Sequence, residues 1–135
     1  MNKLSTVAAA LLAVTALHAT AADAKVNKTA SGIEITTLKI GTGASPKASD
    51  TVTVNYRGSL TDGKEFDSSY RRGQPASFAL NRVIPCWTEA VQTMKVGGKV
   101  KLLCPANLAY GSQGIPGTIP ADATLVFEVE LLGIQ

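Results

Sequence analysis

Among its 135 residues the sequence has one histidine, His18, and two cysteines, Cys86 and Cys104. His18 lies in an N-terminal segment expected to be removed, so the mature chain is left without imidazole. That excludes Ser-His and Cys-His nucleophile pairs, histidine-ligated zinc and a histidine general base. Two cysteines cannot form a four-thiolate centre. No metal and no cofactor is therefore expected. Charged residues make up only 17% of the chain, and the 13 lysines and arginines stand singly except for Arg71-Arg72, against 10 acids. A net charge of +3 spread this thinly is a poor match for nucleic acid. Aromatic residues are scarce too, with one Trp, three Tyr and three Phe.

What is present suffices for one domain: 45% of the residues are hydrophobic, enough to bury a core. Met1-Asn2-Lys3 precedes an apolar, alanine-rich run from Val7 to Leu17, followed by small residues at Ala19 and Ala21. This is the pattern of a secretory signal peptide over residues 1–21. The run is too short to cross a hydrocarbon layer, which takes about 20 apolar residues, so no membrane anchor is expected. The protein is expected to be exported, to the periplasm or otherwise secreted. The latter reading is kept open by the sequon Asn27-Lys28-Thr29. Residues 22–32, mostly small and polar, read as a flexible leader, and residues 33–135 as the folded domain.

Within that domain apolar residues alternate with polar ones. Ile33 and Ile35; Val52, Val54 and Tyr56; Val100, Leu102 and Cys104; and Leu125, Phe127, Val129 and Leu131 mark four half-buried strands, and Ser77–Leu80 a weaker fifth. A single segment has helical period. Trp87, Ala90, Val91 and Met94 share one face, Pro85 suits the first turn, and Gly97-Gly98 stops it. The expected class is α+β, an antiparallel sheet of about five strands covered by one short amphipathic helix over 85–94. Gly111, Gly114, Pro116, Gly117 and Pro120 make 111–123 a long irregular loop, of the kind that usually carries function. Its glycine spacing fits no phosphate-binding fingerprint, and a strand follows it rather than a helix. A rigid surface loop or a flap over an apolar cleft fits better.

Five segments carry a more specific signal: Val52–Tyr56, Asp62–Ser69 (DGKEFDSS), Val83–Trp87 (VIPCW), Ala109–Gly111 (AYG) and Ile119–Leu131 (IPADATLVFEVEL). In order and spacing the stretch from Ile33 to Ile134 resembles the FKBP family of peptidyl-prolyl cis-trans isomerases. The resemblance implies a curved antiparallel sheet wrapped around the helix, with an apolar pocket between them for a proline ring. It implies Trp87 as the pocket floor and Tyr56, Phe66, Val83, Ile84 and Phe127 as its walls. It further implies the Ile119 N–H and the Tyr110 hydroxyl as donors to substrate carbonyls, Asp67 at the edge beside the twisting amide, and Arg72 supporting Asp67 and Tyr56. Asp67 and Tyr110 serve no strand or helix periodicity, whereas Trp87 and Phe127 would be core residues in any such fold.

The partners implied are proline-containing unfolded or partly folded proteins, with macrolide inhibitors of the rapamycin or tacrolimus type as further ligands. Ala76, Leu108 and Ile115 depart from better-known members and imply a shallower rim. A non-catalytic peptide-binding chaperone or a small-ligand carrier would keep the same pocket, and a proline-isomerisation assay separates both from an enzyme. The dozen unpatterned residues before the first strand suggest a monomer. Cys86 and Cys104 fall at the helix start and on a strand's inward face. In an oxidising compartment a bridge is favoured over two buried thiols, which pack well as small apolar groups.

Overall fold

Alternation along the chain is realised as seven strands: β1 Val26–Lys28, β2 Glu34–Lys39, β3 Thr51–Leu60, β4 Glu65–Ser68, β5 Ala76–Ala79, β6 Lys99–Cys104 and β7 Leu125–Ile134. The structure, a computed structural model, describes residues 25–135. The expected signal peptide over 1–21, with His18, lies outside them. All strands pair antiparallel in one sheet of order β1-β2-β6-β7-β3-β4, with β5 also on β3. At its centre β3 and β7 pair from Val52 opposite Ile134 to Leu60 opposite Leu125. Alternate residues of each are buried, Val52, Val54, Tyr56 and Gly58 on β3 and Leu125, Phe127, Val129 and Leu131 on β7. Successive side chains of a strand point to opposite faces, so this register gives the sheet one continuous apolar face. Register shifts at Thr37/Lys39, Thr53/Val54 and Gly58/Ser59 bend it.

Among the described residues, two short helices, α1 Ser69–Arg72 and α2 Pro85–Val91, complete the elements together with 3₁₀ turns at Leu80–Arg82 and Ala106–Leu108. Helix α2 covers the apolar face, burying Cys86, Trp87, Ala90 and Val91. Pro85 starts it, where a missing N–H costs nothing. It stops at Val91, short of the expected Met94, because the chain tightens there: the N–H groups of Thr93 and Met94 donate to Ala90 O and Val91 O, three residues back. Met94 stays buried all the same.

The sheet has two more strands than expected. The hairpin at Leu60–Lys64, closed by Leu60 N–H to Lys64 O and Gly63 N–H to Leu60 O, returns the chain as β4. Residues 25–32, expected within a flexible leader, are tied down instead. Val26–Lys28 pairs with Glu34–Thr36, Thr29 accepts from Ile33 N–H, and Ser31 Oγ lies 2.6 Å from Glu89 Oε1 on α2. This edge strand is fully exposed, so composition carries no sign of it; main-chain pairing alone makes it.

Cys86 and Cys104 are joined by a disulfide, with Cα atoms 5.8 Å apart and both side chains fully buried. It ties the first turn of α2 to the end of β6, just before the segment that carries Tyr110. Closing a loop of 18 residues stabilises by roughly 3 kcal/mol on the chain-entropy model. Titration of the unfolded, unreduced protein is expected to find no free thiol, and reduction to lower the denaturation midpoint; two titratable thiols per chain would contradict the bridge.

Candidate active site

On its outer edge β3 is paired twice: β5 covers Thr51–Val54 and β4 covers Arg57–Ser59. Asn55 and Tyr56 fall in the gap, and a buried Tyr56 N–H left unpaired there would be costly. Ser69, fully buried at the start of α1, fills it, its Oγ accepting from Tyr56 N–H at 2.8 Å. Ser68 caps α1 by accepting from Arg71 N–H. This local economy puts Asp67, at the end of β4, and Arg72, at the end of α1, on either side of the Tyr56 hydroxyl.

The three form a closed polar cluster. Tyr56 Oη donates to Asp67 Oδ2 at 2.5 Å, Arg72 Nη1 donates to Asp67 Oδ1 at 2.6 Å, and Arg72 Nη2 donates to Tyr56 Oη at 2.9 Å. Ser68 N–H also donates to Asp67 Oδ1. Burial pushes the Asp67 carboxyl up, but the hydrogen bonds from Tyr56 and Arg72, the guanidinium charge and the Ser68 amide outweigh it and hold it below its ordinary value. Burial raises the Tyr56 phenol, and its bond to Asp67 raises it further. Arg72 thus contacts both Asp67 and Tyr56 directly.

Beside this cluster opens a cavity of about 450 Å³, lined by aromatic rings on its floor and walls. Trp87 lies at its centre, edge-to-face with Tyr56, Phe78 and Phe127 at centroid distances of 5.2, 5.6 and 5.5 Å. Phe66 stands edge-on to Phe127 at 5.8 Å. Such pairs are favoured by the ring quadrupoles. Val83 and Ile84 add aliphatic walls, and Asp67, Arg82, Ala109 and Tyr110 reach the opening. Trp87 Nε1 is buried with no oxygen or nitrogen acceptor among the described residues, faced by aromatic rings.

Of the expected site residues, Tyr56, Phe66, Asp67, Val83, Ile84, Trp87, Tyr110 and Phe127 converge on this cavity. Ile119 does not. Its N–H donates to Ile115 O at 2.8 Å and Ile115 N–H donates back to Ile119 O, closing the tip of the 111–123 loop on itself, while the side chain is buried in the core. Gly114, at φ 59°, is required there, since a Cβ would overlap the Ile119 carbonyl. The backbone amide left for a ligand is that of Ile84, which lines the cavity and has no partner among the described residues. A helix start leaves its first N–H groups unbonded, and Pro85 at the next position marks that start in the sequence. The Tyr110 hydroxyl likewise has no partner among the described residues, and burial followed by the nearby Asp67 charge raises its pKa. Phe78, overlooked as part of a weak strand, supplies an aromatic wall two residues beyond Ala76. Ala76, Leu108 and Ile115 are absent from the lining.

Residues 43–132 match the family model for FKBP-type peptidyl-prolyl cis-trans isomerases. The chain belongs to the FKBP family. It is 58% identical over 118 residues to the FKBP-type peptidyl-prolyl cis-trans isomerase FkpA of Aeromonas hydrophila, a match covering 85% of this chain and 44% of that protein. The FkpA of Escherichia coli is 54% identical over 110 residues, covering 82% and 40%. The chain thus spans less than half the length of these curated relatives. Among solved structures, FkpA from Escherichia coli superimposes with a TM-score of 0.79 at 48% identity, covering 93% of this chain and 59% of the other. A peptidyl-prolyl cis-trans isomerase from Pseudomonas syringae pv. tomato superimposes at 0.78 and 41% identity, covering 94% of both chains. The open antiparallel sheet with its single covering helix is the FKBP fold.

Gly58 is a position where the wall of this FKBP pocket leaves no room for a side chain. Directly opposite Phe127 on β7, it leaves room for the Phe66–Phe127 pair; a Cβ there would come within 2.7 Å of the Phe127 ring and 2.8 Å of the Phe66 ring. Gly58→Ala is expected to lower stability by about 1–3 kcal/mol through overpacking, measured by urea denaturation. An unchanged midpoint would show that the two rings give way freely rather than forming a close-packed wall.

Proposed function

We propose that the protein accelerates rotation about X-Pro peptide bonds in exported, incompletely folded proteins, without a cofactor. The observation that carries this reading is an aromatic cavity roomy enough for a proline ring and its neighbours, with two unpartnered donors, Ile84 N–H and Tyr110 Oη, and a buttressed carboxylate at its opening. The names of its relatives support the same activity. Export rests on the N-terminal segment and on the disulfide. The domain acts as a monomer on this reading, and macrolides would enter over an opening where Phe78 provides the only phenylalanine from β5.

The reaction asks for little chemistry and much environment. Amide resonance sets a barrier of about 18–20 kcal/mol, and no proton moves when the bond turns. A proline ring on the Trp87 indole takes its imide out of water, which disfavours the charge-separated planar form. Ile84 N–H and Tyr110 Oη hold the flanking carbonyls so that only the imide turns. Twisting removes positive character from nitrogen and concentrates it on the carbonyl carbon, where the Asp67 carboxylate stabilises it. Tyr56, Arg72 and Ser68 N–H keep that carboxylate ionised and aimed, so no reorganisation is needed as the bond turns. A 10⁴- to 10⁵-fold acceleration requires roughly 5–7 kcal/mol of such preference for the twisted form.

In a protease-coupled assay with an Ala-Leu-Pro-Phe peptide, Asp67→Val and Tyr110→Phe are each expected to lower kcat/KM by about tenfold or more, the loss of one aimed interaction, with the circular dichroism unchanged. Absence of any acceleration by the unaltered protein would reject the isomerase reading in favour of a non-catalytic peptide binder, and full activity in both variants would reject the assigned roles.

Asp67 is held below the ordinary carboxylate range and Tyr56 and Tyr110 above the ordinary phenol range. None of them changes charge between pH 6 and 8. The profile of kcat/KM is therefore expected to be flat across that interval, and a tenfold change with the fold intact would reveal a proton-transfer step. At lower pH the sign is set by the depressed Asp67 value. Its contribution to stability is complete above about pH 4, the unfolded value, and is lost as pH falls through the lower folded one.

A further inference from the structure

We infer that Arg82 selects client segments with a carboxylate close to the isomerised proline, a specificity that rests on the isomerase reading above. Two charged side chains line the cavity, Asp67 and Arg82. Asp67 already has a counter-charge, since Arg72 binds it at 2.6 Å and Tyr56 and Ser68 N–H donate to it as well, so the pair adds no net charge to the opening. Arg82 has no such partner: it makes no ion pair or side-chain hydrogen bond among the described residues. Arg82 is therefore the charge left without a counter-charge at the cavity opening.

The main chain that carries it is held firmly. Arg82 ends the 3₁₀ turn begun by Leu80, a fully buried residue whose N–H donates to Asp50 O and whose carbonyl accepts from Thr88 Oγ1 at 2.7 Å. Asp50, the nearest acid in that network, has its own Oδ2 occupied by Lys47 N–H. Directly after Arg82 come Val83 and Ile84, the aliphatic wall and the free amide. A peptide whose carbonyl meets Ile84 N–H and whose proline sits on Trp87 must run past the guanidinium. That group is a planar fork matched to carboxylates, permanently charged and weakly hydrated. A neutral or cationic side chain there leaves it unpaired; an aspartate or glutamate pairs with it. Being exposed, the pair adds modest affinity and is screened by salt.

The test uses isomerisation rates by exchange NMR on peptides Ala-Xaa-Pro-Yaa-Zaa, with a single Glu or its neutral isostere Gln placed in turn at Xaa, Yaa and Zaa. At low salt the unaltered protein is expected to favour Glu over Gln in kcat/KM by about two- to fivefold at one of these positions, the range of an exposed ion pair. The ratio is expected to fall towards one in 0.5 M NaCl and in Arg82→Gln, to persist in Arg82→Lys, and to invert in Arg82→Glu, which would favour a Lys peptide. Equal rates for Glu and Gln at every position, or an unchanged preference in Arg82→Gln, would overturn the inference while leaving the isomerase reading standing. No acceleration of any peptide would overturn both. The ratio compares two substrates on one protein, so a general loss of fold or activity does not imitate it.

Discussion

The structure turns on Trp87. In the first turn of a seven-residue helix, its indole meets Tyr56 and Phe127 from the two central strands and Phe78 from β5, all edge-to-face. The helix is too short to be stable alone, and this ring seats it on the sheet. The same contact makes the site. An indole wedged between three rings leaves a rigid apolar floor open to one side, so fold stability and the binding surface come from one set of contacts.

Around that floor the polar groups are positioned by where strand pairing stops. Between β5 and β4 the edge of β3 is vacant at Tyr56, and Ser69 supplies the missing bond there. The turn into α1 that brings Ser69 inward also brings Arg72 over the Tyr56 ring, 5.6 Å from its centroid, and closes the Asp67 cluster. A defect in the ladder thus becomes the place where a carboxylate is held ionised beside an apolar cavity. On the other side the disulfide connects α2, with Ile84 and Trp87, to the strand that leads into Tyr110. The two donors that would hold a peptide therefore sit on elements covalently tied to each other.

How much of this was legible depended on periodicity. The central strands announce themselves through Val52-Val54-Tyr56 and Leu125-Phe127-Val129-Leu131, because one face is buried and the other wet. β4 and β1 do not, for opposite reasons. Glu65–Ser68 is partly buried along its length and so has no alternation, and Val26–Lys28 is exposed throughout. Phe78 lay in a strand too short to show a pattern. Asp67 and Tyr110 were conspicuous because they fitted no pattern at all.

By itself the sequence determined the protein's class, its family, the aromatic makeup of the pocket and the absence of imidazole from the domain, since composition and alternation act locally along the chain. Which backbone amide is left free was decided by tertiary structure. Ile119 and Ile84 are both isoleucines followed by a proline; the helical period after Pro85 hints at a free amide on Ile84, but nothing local shows that the Ile119 amide is already bonded. The loop of the first closes on its own main chain, whereas the second stands at a helix start, and the Leu80 carbonyl four residues back accepts from Thr88 Oγ1 instead. The charge at the opening was decided in the same way: Arg72 and Arg82 are equal in sequence, and only the fold gives one of them a carboxylate and leaves the other facing the cavity.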